Sequence, residues 1–143
     1  MQWTKDQRKI IDARDCNLLV SAAAGSGKTA VLVERIIEMI ADTAHPMDID
    51  ELLVVTFTKA AAAQMKDKIA KALEDMLQKE PENEHYMKQL NYISQANILT
   101  IDSFCYQVVK ENFHVLGLDP AIRIGEPGEI LLLQDEALEQ VVE

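Results

Sequence analysis

Apolar and polar positions along the chain alternate between short β-rich runs and longer stretches with a helical period. Three short runs have the composition of strands: NLLVS at 17–21, LLVVTF at 52–57 and NILTI at 97–101. Each is followed by a stretch with helical spacing, which is the pattern of βαβ units around a parallel sheet. We therefore predict an α/β fold in which helices flank a parallel sheet.

The helices predicted between these strands differ in their patterns. KTAVLVERIIEMIAD, after the first run, has apolar residues on one helical face, namely Val31, Leu32, Ile36, Ile37 and Ile40. The second run leads into KAAAAQMKDKIAKALEDMLQK, which consists of strong helix formers, and the third leads into SFCYQVVKENF. Residues 79–92 are polar and contain a proline, so we expect an exposed connection with a short helix there.

A composition break separates the predicted sheet from a last helix. The segment LGLDPAIRIGEP is rich in Gly, Pro and Asp, and EILLLQDEALEQVVE then returns to helical spacing. We predict one domain over residues 1–116, followed by a linker and the first helix of another over 117–143. The last helix reaches Glu143 without a capping glycine, so we expect the chain to be the front of a longer protein.

Length, charge and cysteine content narrow the class of protein. A chain of 143 residues is the size of one domain and can bury a core of its own. Its net charge of −10 argues against a general nucleic-acid coat, so contacts with phosphate backbones have to be local. Two cysteines, Cys16 and Cys105, are too few for a zinc site. The first residues, MQWTKDQRK, lack the apolar core of a secretory signal. No apolar run approaches the length of about 20 residues that a membrane-spanning helix needs. We expect a cytoplasmic protein.

The loops after the three strands are predicted to meet at one edge, because ligands of parallel sheets bind at the carboxyl ends of the strands. The first loop, AAAGSGKT, matches the phosphate-loop pattern except that Ala22 stands at the first glycine position. Gly25 and Gly27 let backbone N–H groups turn toward phosphates, and the next helix adds positive potential at its N-terminus. Lys28 supplies a mobile cation and Thr29 a hydroxyl for Mg²⁺.

Gln7 has two interpretations. Thr4 and Gln7 have the spacing of a capping box, in which Gln7 serves only its own helix. Alternatively, the Gln7 carboxamide has both a donor and an acceptor group, which match the donor and acceptor edge of an adenine. The spacing alone favours the cap.

TFTK at 56–59 and TIDSF at 100–104 each end a strand with hydroxyls, an aromatic ring and a helix start. Hydroxyl and N–H groups suit phosphates and a ring suits a base, so the set fits a single strand of nucleic acid. Alternatively, Phe57 and Phe104 are core residues, and the Thr and Ser side chains are helix caps. The residue types fit this second interpretation at least as well.

A nucleotide hydrolase also needs a carboxylate for Mg²⁺ at the end of a hydrophobic strand. Asp102 in ILTID has that setting, whereas Asp135 in ILLLQDE lies in a helical pattern and is discounted. Asp102 fits a helix N-cap without any metal, and it also fits the magnesium ligand of a compact kinase-like enzyme. The residues leave both open.

Four motifs, taken in order, resemble the start of the UvrD-like superfamily 1 DNA helicases, in their bacterial helicase/nuclease branch. The motifs are WTKDQ, AAAGSGKTAVLVERI, LLVVTFTKAAAAQM and TIDSFC. The resemblance covers nearly the whole chain and includes LGLDPAIRI. It implies part of a RecA-like P-loop NTPase motor domain that uses ATP and Mg²⁺, followed by the start of an inserted helical subdomain.

The resemblance also implies roles for individual residues. It assigns nucleotide binding to Gln7, Ala22, Ala23, Ala24, Gly25, Ser26, Gly27, Lys28, Thr29 and Ala30. Lys28 and Thr29 are its catalytic residues, with Thr29 on the metal, and Gln7 reads adenine. It assigns DNA contacts to Thr56, Phe57, Thr58, Lys59, Thr100, Ser103 and Phe104. Asp102 departs from the usual His, and because a carboxylate repels phosphate, it either turns away as a cap or weakens that contact.

For the whole protein, the resemblance implies an ATP-dependent DNA helicase with nuclease activity, acting on double-strand ends in recombinational repair. The implied partners are single- and double-stranded DNA ends and a second subunit of the AddB or RexB type in a heterodimer, without a membrane. The family's Mg²⁺-binding acidic pair, water-activating Glu and arginine fingers lie beyond residue 143, so we expect negligible turnover by these residues alone. A passive nucleotide- or DNA-binding module and a compact kinase with Asp102 on the metal remain alternatives.

Overall fold

The computed structural model describes residues 2–23 and 25–142, which belong to two compact units, 1–104 and 105–143. The elements of the first unit are α1 (Lys5–Asp12), α2 (Lys28–Ile40), a short 3₁₀ helix (Ile49–Glu51), β1 (Leu53–Thr56), α3 (Lys59–Lys79), α4 (Glu84–Tyr92) and β2 (Asn97–Thr100). α5 (Ile101–Glu111) begins in the first unit and continues into the second, which also contains α6 (Phe113–Leu116) and α7 (Pro127–Val142).

β1 and β2 form a two-stranded parallel sheet. Thr56 pairs with Thr100 in its register, so both strands end at the same level. α3 and α4 lie in the crossover between the strands, as parallel strands need a connection of a dozen residues or more. The prediction of helices with a parallel sheet is confirmed in this coarse form.

The prediction of a third strand at 17–21 is wrong for the part of the chain that the structure describes. These residues have no strand pairing, and the sheet consists of β1 and β2. Leu19 is 96% exposed, and Leu18 and Val20 are also exposed. The physical reason is that a strand is stabilised by hydrogen bonds to a neighbouring strand, and no strand described here lies beside 17–21.

The core of the first unit is built by α2, α3 and the segments packed on them. Its buried residues are Val33, Ile36 and Ile40 of α2, Ile49, then Ala62, Met65, Ile69 and Leu73 of α3, and Tyr86, Ala96 and Ile98. The helical spacing of these positions explains why α2 and α3 each bury one face. Ile36 and Ile40 confirm the predicted face of α2, whereas Leu32 is exposed and Val33 takes its place in the core.

α4 confirms the short helix expected within 79–92, and most residues of this segment are exposed as expected, but Tyr86 and Gln89 are buried. Gln89 is fully buried; its Oε1 accepts the N–H of Ile49 at 2.7 Å, and its Nε2 donates to Oδ1 of Asp48 at 2.5 Å. Lys88 forms an ion pair with the same carboxylate. A buried carboxamide is tolerated when its polar atoms are paired, so this network fastens α4 to the start of the 3₁₀ helix.

In the second unit, α7 confirms the helix predicted after the composition break, and the segment between α6 and α7 has no helix or strand. The Arg123 guanidinium donates to both carboxylate oxygens of Glu129, at 2.7 and 2.5 Å. The Tyr106 hydroxyl donates to the carbonyl oxygen of Ile122 at 3.1 Å. Within 2–23 and 25–142, no helix is long and apolar enough to cross a membrane.

Candidate functional site

The loop before α2 turns through two glycines with left-handed backbone geometry. The φ angle is +77° at Gly25 and +82° at Gly27, and Gly27 is the N-cap of α2. A residue with a Cβ loses roughly 1–2 kcal/mol in this conformation, whereas glycine adopts it freely. The two glycines therefore stand where the turn requires them. Ala24, which the sequence also assigns to this loop, lies outside the described residues.

Lys28 is the first residue of α2, and its side chain folds back over the loop. Its Nζ donates to the carbonyl oxygens of Ala22 and Ala23, at 2.7 Å in each case. The ammonium therefore stands at the N-terminus of α2, where the helix dipole adds further positive potential. Together they form a place suited to an anion such as a polyphosphate.

Thr29 and Ala30 follow in the first turn of α2, with Thr29 exposed and Ala30 half-buried. The Thr29 hydroxyl is an oxygen ligand of the kind that Mg²⁺ accepts. Among the described residues, no group of three or more His, Cys, Asp or Glu side chains could hold a metal ion. Mg²⁺ at Thr29 would thus depend on phosphate oxygens for further ligands, as Mg²⁺ bound with nucleotides commonly does.

The Gln7 carboxamide makes two contacts at once. Its Oε1 accepts the N–H of Thr4 at 2.9 Å, and the N–H of Gln7 donates to Thr4 Oγ1 at 3.2 Å, which completes the capping box of α1. Its Nε2 donates to the carbonyl oxygen of Ser26 at 3.3 Å. The predicted cap is confirmed, but the view that Gln7 serves only its own helix is wrong, because the same side chain also reaches the glycine loop.

Arginine contacts hold α1 against α2 and so fix the position of Gln7. The Arg8 guanidinium donates to both carboxylate oxygens of Glu38, at 2.7 and 2.9 Å. Arg35 Nη1 donates to the carbonyl oxygen of Ile10 at 2.5 Å. Sequence reasoning missed these contacts, since partners separated by 30 and 25 residues leave no local signal.

A cleft of ≈ 450 Å³ lies between α1 and the loop. Its polar lining includes Gln7, Ser26 and Lys28, and its apolar lining includes Ile10, Val20, Val31 and Leu32. Mostly apolar walls with a few placed polar groups are typical of sites for small organic ligands. The cleft suits a flat base against the apolar wall, with attached phosphates beside Lys28.

The motif TFTK spans the end of β1 and the start of α3. Thr58 is the N-cap of α3, and its Oγ1 accepts the N–H of Ala61 at 3.1 Å. The Thr56 hydroxyl donates to the carbonyl oxygen of Thr58 at 3.0 Å. Lys59 is exposed, and Phe57 is 92% exposed. The cap interpretation is thus confirmed for Thr58, but the core interpretation is wrong for Phe57, because its ring faces solvent.

The motif TIDSF spans the end of β2 and the start of α5. Thr100 is buried; its Oγ1 accepts the N–H of Ser103 at 3.1 Å, and the two hydroxyl oxygens are 2.8 Å apart. This is the bond of an N-cap, so Thr100 caps α5, and of the two interpretations left open for Asp102 the one as N-cap is wrong. The reason is that α5 begins at Ile101, which places Asp102 in its first turn, exposed. Phe104 is half-buried.

The pairing of Thr56 with Thr100 brings two of the three predicted loops to one edge of the sheet, whereas the glycine loop follows a segment that has no strand pairing. A groove of ≈ 260 Å³ at this edge of the sheet is lined by residues that include Lys59, Thr100 and Ser103. This groove and the cleft beside the glycine loop have no lining residue in common. The predicted residues therefore form two separate candidate sites in the first unit.

Comparison with known proteins places this chain in a family. Residues 3–143 match the model of the UvrD/REP helicase N-terminal domain. An ATP-dependent helicase/nuclease subunit of Clostridioides difficile (strain 630) is 54% identical over 142 residues, a match that covers 99% of this chain and 11% of the relative. The corresponding proteins of Clostridium novyi (strain NT) and Thermoanaerobacter sp. (strain X514) are 54% and 55% identical, over 100% and 99% of this chain and 12% of each relative.

The chain thus spans about a tenth of the length of the curated relatives it matches. The family match extends over both units, from the capping box of α1 to the end of α7. On this evidence the chain belongs to the UvrD/REP helicase family, as an N-terminal domain of the UvrD type.

Proposed function

We propose that this chain is the ATP- and single-stranded-DNA-binding N-terminal segment of a DNA helicase/nuclease of the AddA type. The observation that carries the proposal is the glycine loop, in which left-handed Gly25 and Gly27 precede α2 and the Lys28 ammonium folds over the carbonyls of Ala22 and Ala23. The whole protein would use ATP to unwind DNA and process double-strand ends for recombinational repair. The names of the relatives support the ATP-dependent helicase and nuclease part of this proposal.

The proposed ATP site is the cleft between α1 and the loop. Loop N–H groups and Lys28 would bind the β- and γ-phosphates, Gln7 would read adenine, and Thr29 would contribute an oxygen to Mg²⁺. Bound ATP would supply the phosphoanhydride bond whose hydrolysis drives the motor, and these residues would bind and orient the nucleotide. The remaining proposed contacts are Ala22, Ala23, Ala24, Gly25, Ser26, Gly27 and Ala30.

The proposed DNA site is the edge where β1 and β2 end. Thr56, Thr58, Lys59, Thr100 and Ser103 would contact phosphates, and Phe57 and Phe104 would contact bases. Capping does not exhaust the Thr58 hydroxyl, because its oxygen accepts the N–H of Ala61 and still has its own proton to donate. One of the Thr100 and Ser103 hydroxyls donates to the other, which leaves one proton of that pair for a phosphate. The exposed ring of Phe57 supports a stacking role, since no packing accounts for it.

We further propose a RecA-like motor domain over residues 1–116 and the first part of a helical subdomain over 117–143. In the family, the Mg²⁺-binding acidic pair and the arginine fingers follow later in the sequence, so these 143 residues alone would hydrolyse ATP negligibly. The proposed partners are DNA ends and a second subunit of the AddB or RexB type, in the cytoplasm.

Strand separation by the native gene product that contains this chain tests the proposal. A blunt duplex labelled on one strand is incubated with Mg²⁺ and either ATP or a non-hydrolysable analogue, together with the partner subunit. We expect unwinding and degradation from the ends with ATP, and no unwinding with the analogue. Phosphorylation of a small acceptor, with no effect of DNA on ATP turnover, would instead favour the kinase alternative.

A further inference from the structure

We infer that Lys66, which lies outside both strand-end motifs, is a further contact to the phosphodiester backbone of single-stranded DNA. The inference rests on the proposed function, because it extends the same DNA surface from the strand ends along one face of α3. What carries it is a groove in which Lys66 and Lys59 stand on one wall, opposite the Thr100 and Ser103 hydroxyls.

The wall formed by α3 is lined by Lys59, Ala62, Ala63 and Lys66, and the other wall by Ile98, Leu99, Thr100 and Ser103. Ala62 and Ala63 are each three or four residues from both Lys59 and Lys66, so the four positions lie on one helical face. Lys59 and Lys66 are therefore two turns apart, or about 10 Å along the helix axis. Because only the methyl groups of two alanines lie between them, an extended backbone can approach α3 closely between the two cations.

The Lys66 ammonium is already held at the groove. Its Nζ donates to the carbonyl oxygen of Ser94 at 3.0 Å, and the residue is half-buried. An ammonium has three donors, so one neutral carbonyl leaves two N–H groups and the full positive charge for a phosphate. Holding the side chain in place also reduces the entropy that binding would cost.

Charge compensation within the chain does not explain the two lysines. In the part of the chain that the structure describes, neither Lys59 nor Lys66 forms an ion pair, whereas Lys9 and Lys88 do. On a chain with a net charge of −10, an anion is attracted where positive charge is locally concentrated. The groove combines two such cations with the paired hydroxyls of Thr100 and Ser103, which is the composition of a phosphate site.

The salt dependence of DNA binding tests the inference. Affinity of the native gene product for a short labelled oligothymidylate is measured at several salt concentrations, because each phosphate contact to a single strand contributes about 0.7 to the slope of log K against log salt. Lys66→Gln, which keeps a donor for Ser94 but loses the charge, should reduce the slope by about 0.7, and Lys66→Arg should keep it. Lys68→Ala is the matched control, since this exposed α3 residue does not line the groove.

The outcomes separate the inference from the function it rests on. If the unmodified protein binds the oligonucleotide but Lys66→Gln leaves the slope unchanged, the inference is wrong and the proposed function stands. If the unmodified protein does not bind the oligonucleotide, the proposed DNA function fails and the inference fails with it. ATP affinity is measured on the same variants, and a loss there without a change in DNA binding would assign Lys66 to free nucleotide phosphates and overturn the inference.

Discussion

The Gln7 carboxamide nitrogen lies 3.3 Å from the carbonyl oxygen of Ser26 and donates a hydrogen bond to it, while its oxygen caps α1. One side chain thus joins the start of a helix to the glycine loop before α2. Because both bonds use the same planar group, the orientation of the carboxamide at the cleft is set by the cap. The capping box therefore places a donor at the proposed nucleotide site.

Gln7→Glu separates these two roles. A glutamate at this position of a capping box still accepts the N–H of Thr4, so the free energy of unfolding should change by less than about 0.5 kcal/mol. The carboxylate cannot donate to Ser26 or present a donor to adenine, so the preference for ATP over GTP should fall. Added charge repels both triphosphates alike, and the affinity ratio measured by calorimetry isolates the reading of the base.

Thr4→Ala is the complementary variant. It removes the Oγ1 acceptor of the cap and should cost about 1 kcal/mol of stability, while the Gln7 carboxamide and its preference for ATP remain. An unchanged ATP/GTP ratio in Gln7→Glu would contradict the role of Gln7 at the base.

Gly27→Ala tests the geometry of the loop. The added Cβ would meet Gln7 Nε2 at 3.6 Å, which is ordinary contact, so the cost comes from φ of +82° and amounts to about 1–2 kcal/mol. ATP affinity should fall together with thermal stability. Gly128→Ala in α7 is the control: its Cβ meets no atom within 4 Å, and stability there should stay the same or rise. Equal changes in stability for the two substitutions would show that the positive φ angle at Gly27 does not cause the loss.

Phe57→Ala should weaken single-stranded DNA binding without destabilising the fold. The ring is 92% exposed, so its removal forfeits little packing, whereas loss of one stacked base costs about 1–3 kcal/mol of binding free energy. Fluorescence anisotropy with an oligonucleotide, beside a thermal melt, measures both quantities. Phe57→Trp should restore binding, and equal affinity in the alanine variant would show that Phe57 does not stack on DNA.

The Asp48 network predicts a loss of stability in acid. The hydrogen bond from Lys88, aided by that from Gln89, lowers the pKa of the Asp48 carboxyl below its usual value, against the opposing effect of burial. A lowered folded-state pKa means that the contribution is fully present above the unfolded pKa of about 3.9 and is lost as pH falls through the folded value. Asp48→Asn should therefore be less stable than the unmodified chain at neutral pH.

Urea midpoints of both proteins across pH 2–7 measure this effect. The two curves should converge as the pH drops below about 4, because Asp48 is then protonated in the unmodified chain as well. A constant difference between the curves at every pH would contradict the assignment of the ion pair to Lys88 and Asp48.

Local patterns predicted most of the helices. The spacing of apolar residues anticipated α2, and the run of helix formers anticipated α3 as Lys59–Lys79. The role of the loop glycines could also be predicted from the sequence, because a backbone turn with left-handed geometry favours glycine at that position. In contrast, 17–21 has the composition of a strand but not the pairing, because a strand depends on a neighbour that composition cannot supply.

Long-range polar contacts escaped sequence reasoning. Gln89 looks like a surface residue of a polar segment, yet it is buried, because its partner Ile49 N–H lies 40 residues away. The residues of the contact from Arg35 to Ile10, and those that line the groove beside Lys66, are also far apart in sequence. They meet only because the elements that carry them pack together. Gln7 shows the same limit in part: spacing predicted its cap, but not its contact with Ser26.

ATP hydrolysis by the native gene product carrying Lys28→Ala tests whether the glycine loop binds the nucleotide. Lys28 supplies the charge at the proposed phosphate site, so its loss should reduce DNA-stimulated hydrolysis by at least about 100-fold and abolish unwinding. Lys71→Ala, an exposed lysine of α3, is the control and should keep both activities. If the Lys28→Ala protein still hydrolyses ATP and unwinds DNA, the glycine loop is not the ATP site of this protein.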